Sequence, residues 1–283
     1  MRVLLIGANG MLGKDVLQEW TGDELIPATS RDADIRNSPQ VEKLIAETRP
    51  DWILLTAAYT DVDGSERDPD EAFAVNQKGT ENVARSARKY GANLMYISTD
   101  YVFDGHGSRP YEPWDAIAPL GVYGASKAAG EKVIQEHLQH WCIVRTSWLF
   151  GASGQCFPEK ILRAAETRPE LSVVSDQIGS PTFTRDLVRA MQGIVRADAR
   201  GFVSVTNAGT CSWFEFAKEI LRQAGKTNPI KPINTVQAAR AAKRPAYSVL
   251  SPAALHALGI KVRHWQETLP PYLEELRHMG KLK

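Results

Sequence analysis

The opening residues constrain the fold more than any other feature of the chain. Val3 to Ile6 is an unbroken apolar run that stops at Gly7, and glycine then recurs at Gly10 and Gly13 before an amphipathic stretch through Trp20. Strand, tight turn and helix in that order open a βαβ unit. In such a turn the missing side chains let backbone N–H groups at the positive end of the helix approach an anion. The run Gly7-Ala8-Asn9-Gly10-Met11-Leu12-Gly13 therefore suits a pyrophosphate, and its place at the first strand-to-helix junction makes it informative where a stray glycine triplet would not be.

The pattern then repeats. Glu24 to Ala28, Trp52 to Thr56, Asn93 to Ser98 and Trp141 to Ser147 read as short strands, separated by helical stretches at Gln40 to Thr48, Glu71 to Tyr90 and Tyr123 to Leu138. Such alternation implies crossover connections and a doubly wound parallel α/β sheet, Rossmann-like, covered on both faces. After about Phe150 prolines become frequent and the elements shorten to a strand at Leu171 to Val174, helices at Thr184 to Arg196 and Trp213 to Ala224, and a terminal amphipathic helix from Trp265 to Met279. Residues 1–150 are thus expected to bind a dinucleotide. Residues 151–283 are expected to form mainly a smaller C-terminal substrate-binding lobe, with some segments returning to the first domain.

Composition excludes several classes. With 43% hydrophobic and 24% charged residues the 283-residue chain has the balance of a globular protein, and a net charge of +1 gives no large basic surface for nucleic acid or an anionic membrane. No apolar run approaches the length of a membrane span, and the N-terminus lacks a signal-peptide pattern, so a cytoplasmic location is expected. Cys142, Cys156 and Cys211 form no C-x-x-C pair and read as free thiols, and His137 with His140 lacks a third ligand for a metal.

At the second strand the chain runs into Ala28-Thr29-Ser30-Arg31, without the acidic residue that usually holds a ribose 2′-hydroxyl. Arg31 suits a 2′-phosphate there, which leans the reading towards NADP while allowing NAD, and Asp34 and Ile35 are placed to flank the adenine. Tyr123 and Lys127 stand four apart on one helical face. Among eight tyrosines only this one begins a Y-x-x-x-K, against about 0.4 expected by chance. Thr99, at the end of the fourth strand, is at the edge where a parallel sheet presents side chains to a ligand. A hydride delivered to a carbonyl carbon leaves an alkoxide that needs an acid, and a nearby lysine and an oxidised nicotinamide both lower a phenol's pKa. The expected roles are Tyr123 as acid, Lys127 as the group that lowers its pKa, and Thr99 as a hydrogen-bond partner of the same oxygen.

These residues resemble the extended short-chain dehydrogenase/reductase superfamily and, within it, the dTDP-4-dehydrorhamnose reductases. The likeness spans nearly the whole chain: GANGMLG at the start, LTAAYTDVDGSE from Leu55, STDYVFDG from Ser98, YGASKAAGE from Tyr123, RTSWLFG from Arg145, DQIGSPT from Asp176 and RPAYSVL from Arg244. It implies reduction by NADPH or NADH of the C4 ketone of a dTDP-4-dehydro-6-deoxy-L-mannose. Ala57, Ala58 and Tyr59 would line the loop under the cofactor, and Thr99, Tyr101, Phe103, Trp148 and Arg244 would face the dTDP-sugar. Trp148 matches a tryptophan that packs on the sugar; Arg244, in a basic cluster with Arg240 and Lys243, would meet the diphosphate. Thr56 departs from the asparagine common before the paired alanines. Some relatives dimerise around magnesium held by carboxylates; none is placed here, so Mg2+ and a homodimer stay open.

Three other readings share the scaffold. A nucleotide-sugar dehydratase places an Asp-Glu pair after the threonine, whereas Asp100 is followed by Tyr101. An epimerase would retain its nicotinamide through turnover. A non-catalytic relative partners methionine adenosyltransferase; the intact Thr99, Tyr123 and Lys127 point away from that role.

Overall fold

The computed structural model describes residues 1–282. The five apolar runs of the first half form β1 (Arg2–Ile6), β2 (Glu24–Ala28), β3 (Trp52–Leu55), β4 (Asn93–Thr99) and β5 (Trp141–Thr146). Between them run α1 (Met11–Glu19), α2 (Ser38–Thr48), α3 (Val62–Arg67), α4 (Pro69–Phe73), α5 (Thr80–Tyr90) and α6 (Val122–His137). The single helix expected over Glu71 to Tyr90 is instead α4 and α5 joined by a π-helical turn at Ala74–Gly79. The widened turn directs Asn76 inward, where its amide donates to the Tyr59 carbonyl (3.1 Å) and accepts from the Tyr59 N–H (2.9 Å).

The second half contributes β6 (Leu149–Phe150), α7 (Phe157–Thr167), β7 (Leu171–Val174), β8 (Ile178–Gly179), β9 (Thr182–Phe183), α8 (Thr184–Arg196), β10 (Gly201–Ser204), β11 (Cys211–Ser212) and α9 (Trp213–Gln223). β12 (Ile230–Ile233), α10 (Thr235–Ala238), α11 (Ala253–Ala257) and α12 (Trp265–His278) complete it. The main sheet is six-stranded and parallel, in the order β10-β5-β4-β3-β1-β2. The order reverses between β1 and β3, and the crevice above their carboxyl ends is where an open α/β sheet binds its ligand.

Alternation along the strands sends Val3 and Leu5 to one face, packed with Val16 of α1 and Leu187 and Met191 of α8. Leu4 and Ile6 go to the other, packed with Val41 and Ile45 of α2 and Val83 and Ala87 of α5. β10, α8 and Leu255 of α11 thus belong to the sheet layer although they follow Phe150 in sequence. The smaller lobe has its own core of Phe150, Phe183, Phe216, Leu269 and Tyr272, bounded by short strand pairs β6·β9, β7·β12 and β8·β11. Cys142, Cys156 and Cys211 are buried free thiols, and no helix among the described residues is long and apolar enough to cross a membrane.

Candidate active site

A cleft of about 670 Å³ opens at the carboxyl ends of the central strands. One wall is the glycine turn, with Gly7, Asn9, Gly10, Met11, Leu12 and Gly13 all lining it. Gly7 has φ +101°, and a Cβ there would stand 2.5 Å from the Ala57 nitrogen; a Cβ on Gly13 would collide with the Gly7 carbonyl. Gly10 differs: its φ of −71° is ordinary, and an added Cβ would meet nothing nearer than the Gly7 carbonyl at 3.3 Å. The space above it is thus not taken by protein. α1 begins there without a side-chain cap and without an acidic residue in its first turn, so its terminal N–H groups are available to an anion.

Next to the turn, Thr29, Ser30, Ala33, Asp34, Ile35 and Arg36 line the end of the cleft beyond β2. Arg31, the cation expected here, is exposed and does not line the cleft; its N–H donates to Thr29 Oγ1 at 3.2 Å. The cation on the wall is Arg36, clamped by Asp34 (2.7 Å) and Glu71 (2.7 Å), and its guanidinium holds the Asp34 carboxyl below the usual range. Ala57 and Ala58 form the floor. Tyr59 does not reach the wall; Asn76 fixes its backbone from behind.

At the other end the structure brings Thr99, Tyr101, Tyr123 and Lys127 together, along with Asp100, Thr146, Ser147 and Trp148. Tyr123 enters in the first turn of α6, whose N-cap residue Gly121 has no side chain to cap it; Glu66 of α3 takes that part from outside the helix by accepting from the Val122 N–H at 2.9 Å. Tyr101 packs edge-on to Tyr123, ring centroids 5.7 Å apart. The ammonium of Lys127, itself only 2% exposed, lies 3.9 Å from the centre of the Tyr96 ring. Thr99 Oγ1 donates to Asp100 Oδ1 at 3.0 Å, while Asp100 Oδ2 and Thr146 Oγ1 are buried with no partner among the described residues.

The electrostatics correct one expectation. Burial, reinforced by the Asp100 carboxylate, pushes the Tyr123 phenol up to about 12, and burial pushes Lys127 down to about 7 despite the opposing pull of Glu131. Lowering of the phenol is therefore not supplied by the chain alone, because desolvation and Asp100 outweigh the hydrogen bond from Thr99, the one influence that lowers it. A phenol raised in this way is reliably protonated at neutral pH, which is the state an acid requires. Asp100 is raised by burial to about 6.

Two residues assigned to the sugar lie off the wall. Phe103 is 1% exposed, stacked on Tyr111 at 4.3 Å with the Arg145 guanidinium 5.0 Å from its ring, so it is core. Arg244 is not a solvated member of a basic cluster: Asp63 of α3 grips both its terminal nitrogens (3.1 and 2.9 Å), and it also donates to the Ala242 carbonyl at 2.8 Å. Asp100, Thr146, Ser147 and Arg36 were missed. The strand-end rule that singled out Thr99 applies equally to Thr146 and Ser147 after β5. Among the described residues no three His, Cys, Asp or Glu side chains group to hold a metal ion.

Residues 1–278 match the family described as RmlD substrate binding domain. The chain belongs to that family. A dTDP-4-dehydrorhamnose reductase from Mycobacterium tuberculosis is 36% identical over 95% of this chain and 91% of its own, and the spore coat polysaccharide biosynthesis protein SpsK of Bacillus subtilis is 40% identical over 97% of both. The RmlD-family fold is shared with the crystal structure of the Bacillus anthracis dTDP-4-dehydrorhamnose reductase in complex with NADP, at a TM-score of 0.94 and 40% identity over 97% of this chain and 99% of that one.

Proposed function

We propose that this RmlD-family member, an NAD(P)-dependent oxidoreductase, reduces the C4 ketone of dTDP-4-dehydro-6-deoxy-L-mannose to give dTDP-L-rhamnose, using NADPH or NADH. The observation that carries the reading is the cleft's two-ended build: a glycine turn with an uncapped helix start at one end, and Thr99, Tyr123 and Lys127 at the other. The residues fit a dinucleotide. Gly10 leaves room over the α1 N-terminus for the pyrophosphate, Ser30, Asp34 and Ile35 would hold the adenosine, and Ala57 and Ala58 the floor beneath the ribose.

When bound, the reduced nicotinamide supplies a hydride to the carbonyl carbon. Tyr123 gives its phenolic proton to the carbonyl oxygen, and Thr99 Oγ1 holds that oxygen in place. The ammonium of Lys127 stabilises the phenolate left behind. One hydride and one proton convert ketone to alcohol, with no elimination step for a second acid/base residue to serve. Trp148, on the cleft wall, would pack against the deoxyhexose, and Arg244, off that wall and held by Asp63, would meet the diphosphate only through the N–H groups that Asp63 leaves free.

The test is loss of reduced-cofactor absorbance with purified protein and a panel of 4-keto-6-deoxy sugars on dTDP, UDP and GDP. Turnover with the dTDP compound and identification of dTDP-L-rhamnose would support the assignment. Turnover only on another carrier would overturn the substrate, and none with any ketose would overturn the reductase reading itself.

A further inference from the structure

We infer that Trp213, which lies outside the cleft wall, is a positioning residue for sugar binding: it fixes the plane in which Trp148 is presented to the substrate. The inference rests on the reading of Trp148 as the sugar's platform.

Trp148 sits between β5 and β6 with φ +47°, a left-handed conformation that a bulky residue rarely adopts and that the surroundings must enforce. Two walls do so. The Trp213 indole lies face to face with it, ring centroids 3.6 Å apart and planes 11° from parallel. The backbone of Gly179 closes over the Cε2 rim of the ring: a Cβ there would stand 2.6 to 2.7 Å from Cε2, Cζ2 and Nε1 of Trp148. Only glycine leaves that approach open.

Both walls belong to one small unit. β8 and β11 pair antiparallel with Gly179 opposite Cys211, so the strand carrying the glycine is stitched two residues away from Trp213. α9 starts at Trp213 behind a complete capping box, in which Ser212 Oγ accepts from the Glu215 N–H (3.1 Å) and Glu215 Oε2 accepts from the Ser212 N–H (2.7 Å). Phe157 backs the Trp213 ring at 4.5 Å and leads into the lobe core. Trp148 is the member of this aromatic row that reaches the cleft. An indole face favours a sugar's C–H face only at the right tilt, so the slot sets affinity for the sugar without touching it.

The test compares Trp213→Ala, Trp213→Leu, Trp148→Ala and the double variant Trp148→Ala/Trp213→Ala. Steady-state kinetics use the dTDP-ketose and NADPH, and near-ultraviolet circular dichroism is read on the unliganded protein. The coupled signal of parallel indoles should vanish in each single variant. Trp213→Ala and Trp213→Leu should raise KM for the sugar nucleotide roughly three- to tenfold, with kcat changed less than about twofold and KM for NADPH unmoved. In the Trp148→Ala background, Trp213→Ala should add nothing, because its effect passes through the missing ring. If Trp148→Ala raises KM but the Trp213 variants do not, the inference fails while the platform reading stands. If Trp148→Ala leaves KM unchanged, the platform fails and takes the inference with it. An equal loss from Trp213→Ala in both backgrounds would make Trp213 merely structural. Should Trp213→Ala not fold, Trp213→Leu, which removes less of the buried volume, decides between the same outcomes.

Discussion

Tyr123 and Lys127 are coupled less by direct attraction than by shared burial. The phenol is held at about 12 and the lysine at about 7, so across neutral pH the phenol keeps its proton while the lysine is the group that titrates. In the proposed reduction the ammonium would be the useful form, since it would stabilise the phenolate left when Tyr123 gives up its proton. kcat/KM for reduction is therefore expected to be full below pH 7 and to fall as pH rises through about 7. Glu131 and Tyr96 are the groups that act on that ammonium, and Asp100, near 6, is the other group that could produce a fall. Asp100→Asn should leave the fall in place and Lys127→Met should remove it along with most activity; the reverse pattern would assign the titration to Asp100. The sequence could name this pair from spacing alone, because four residues on a helix fix a shared face. It could not give the direction of either shift, because desolvation depends on what the fold stacks around the pair. Phe103 is the same lesson: the motif that holds it is legible, its burial against Tyr111 is not.

At the scale of elements, α6 is anchored from below by an ion pair that motif reading passed over. Tyr123, Lys127 and Glu131 follow one another at four-residue steps, and Glu131 accepts from Arg145 Nε (2.9 Å) and Nη2 (2.7 Å) and from Ser98 Oγ (2.6 Å). Arg145 also donates to the Pro113 carbonyl (3.0 Å) and lies 4.2 Å from the Phe202 ring, so β4, β5, β10 and the loop before α6 meet on one guanidinium. Both side chains are almost wholly buried. Removing one partner strands a buried charge, and Arg145→Met is expected to cost about 3–5 kcal/mol in urea unfolding, with Arg145→Met/Glu131→Met recovering much of it. A loss under about 1 kcal/mol would show that the pair does not anchor the helix. The π turn at Ala74–Gly79 was hidden for a related reason. Apolar periodicity through Glu71 to Tyr90 reads as one helix, and only the long-range bonds of Asn76 to Tyr59 show why a residue is inserted there.

For the whole molecule, the sheet's alternating pattern was readable because each early strand is a compact apolar run between a turn and a helix. β10 was not, since Gly201–Ser204 holds only Phe202 and Val203 as apolar residues, and its place beside β5 is set by α8 packing on α1. The strand order brings the glycine turn and the carboxyl ends of β4 and β5 to one crevice, which is what lets distant segments share a cleft. The phosphate end has its own test. Gly10→Val keeps an allowed backbone but brings its Cβ to 3.3 Å from the Gly7 carbonyl, so the unliganded Tm should fall only modestly while the Kd for NADPH rises at least about tenfold. For the unsubstituted chain, NADPH at a hundred times its Kd should add about 2.7 kcal/mol of stability. A variant that bound normally would remove the pyrophosphate from above α1.

In the proposed reaction hydride reaches the sugar's C4 as Tyr123 delivers the proton. The most direct measurement uses NADPH carrying deuterium at the transferable position, the dTDP-4-keto sugar, and nuclear magnetic resonance of the product. A single deuterium is expected on C4 of dTDP-L-rhamnose, with turnover at least about a hundredfold slower in Tyr123→Phe and cofactor binding retained. Label absent from C4, or turnover undiminished in Tyr123→Phe, would contradict it.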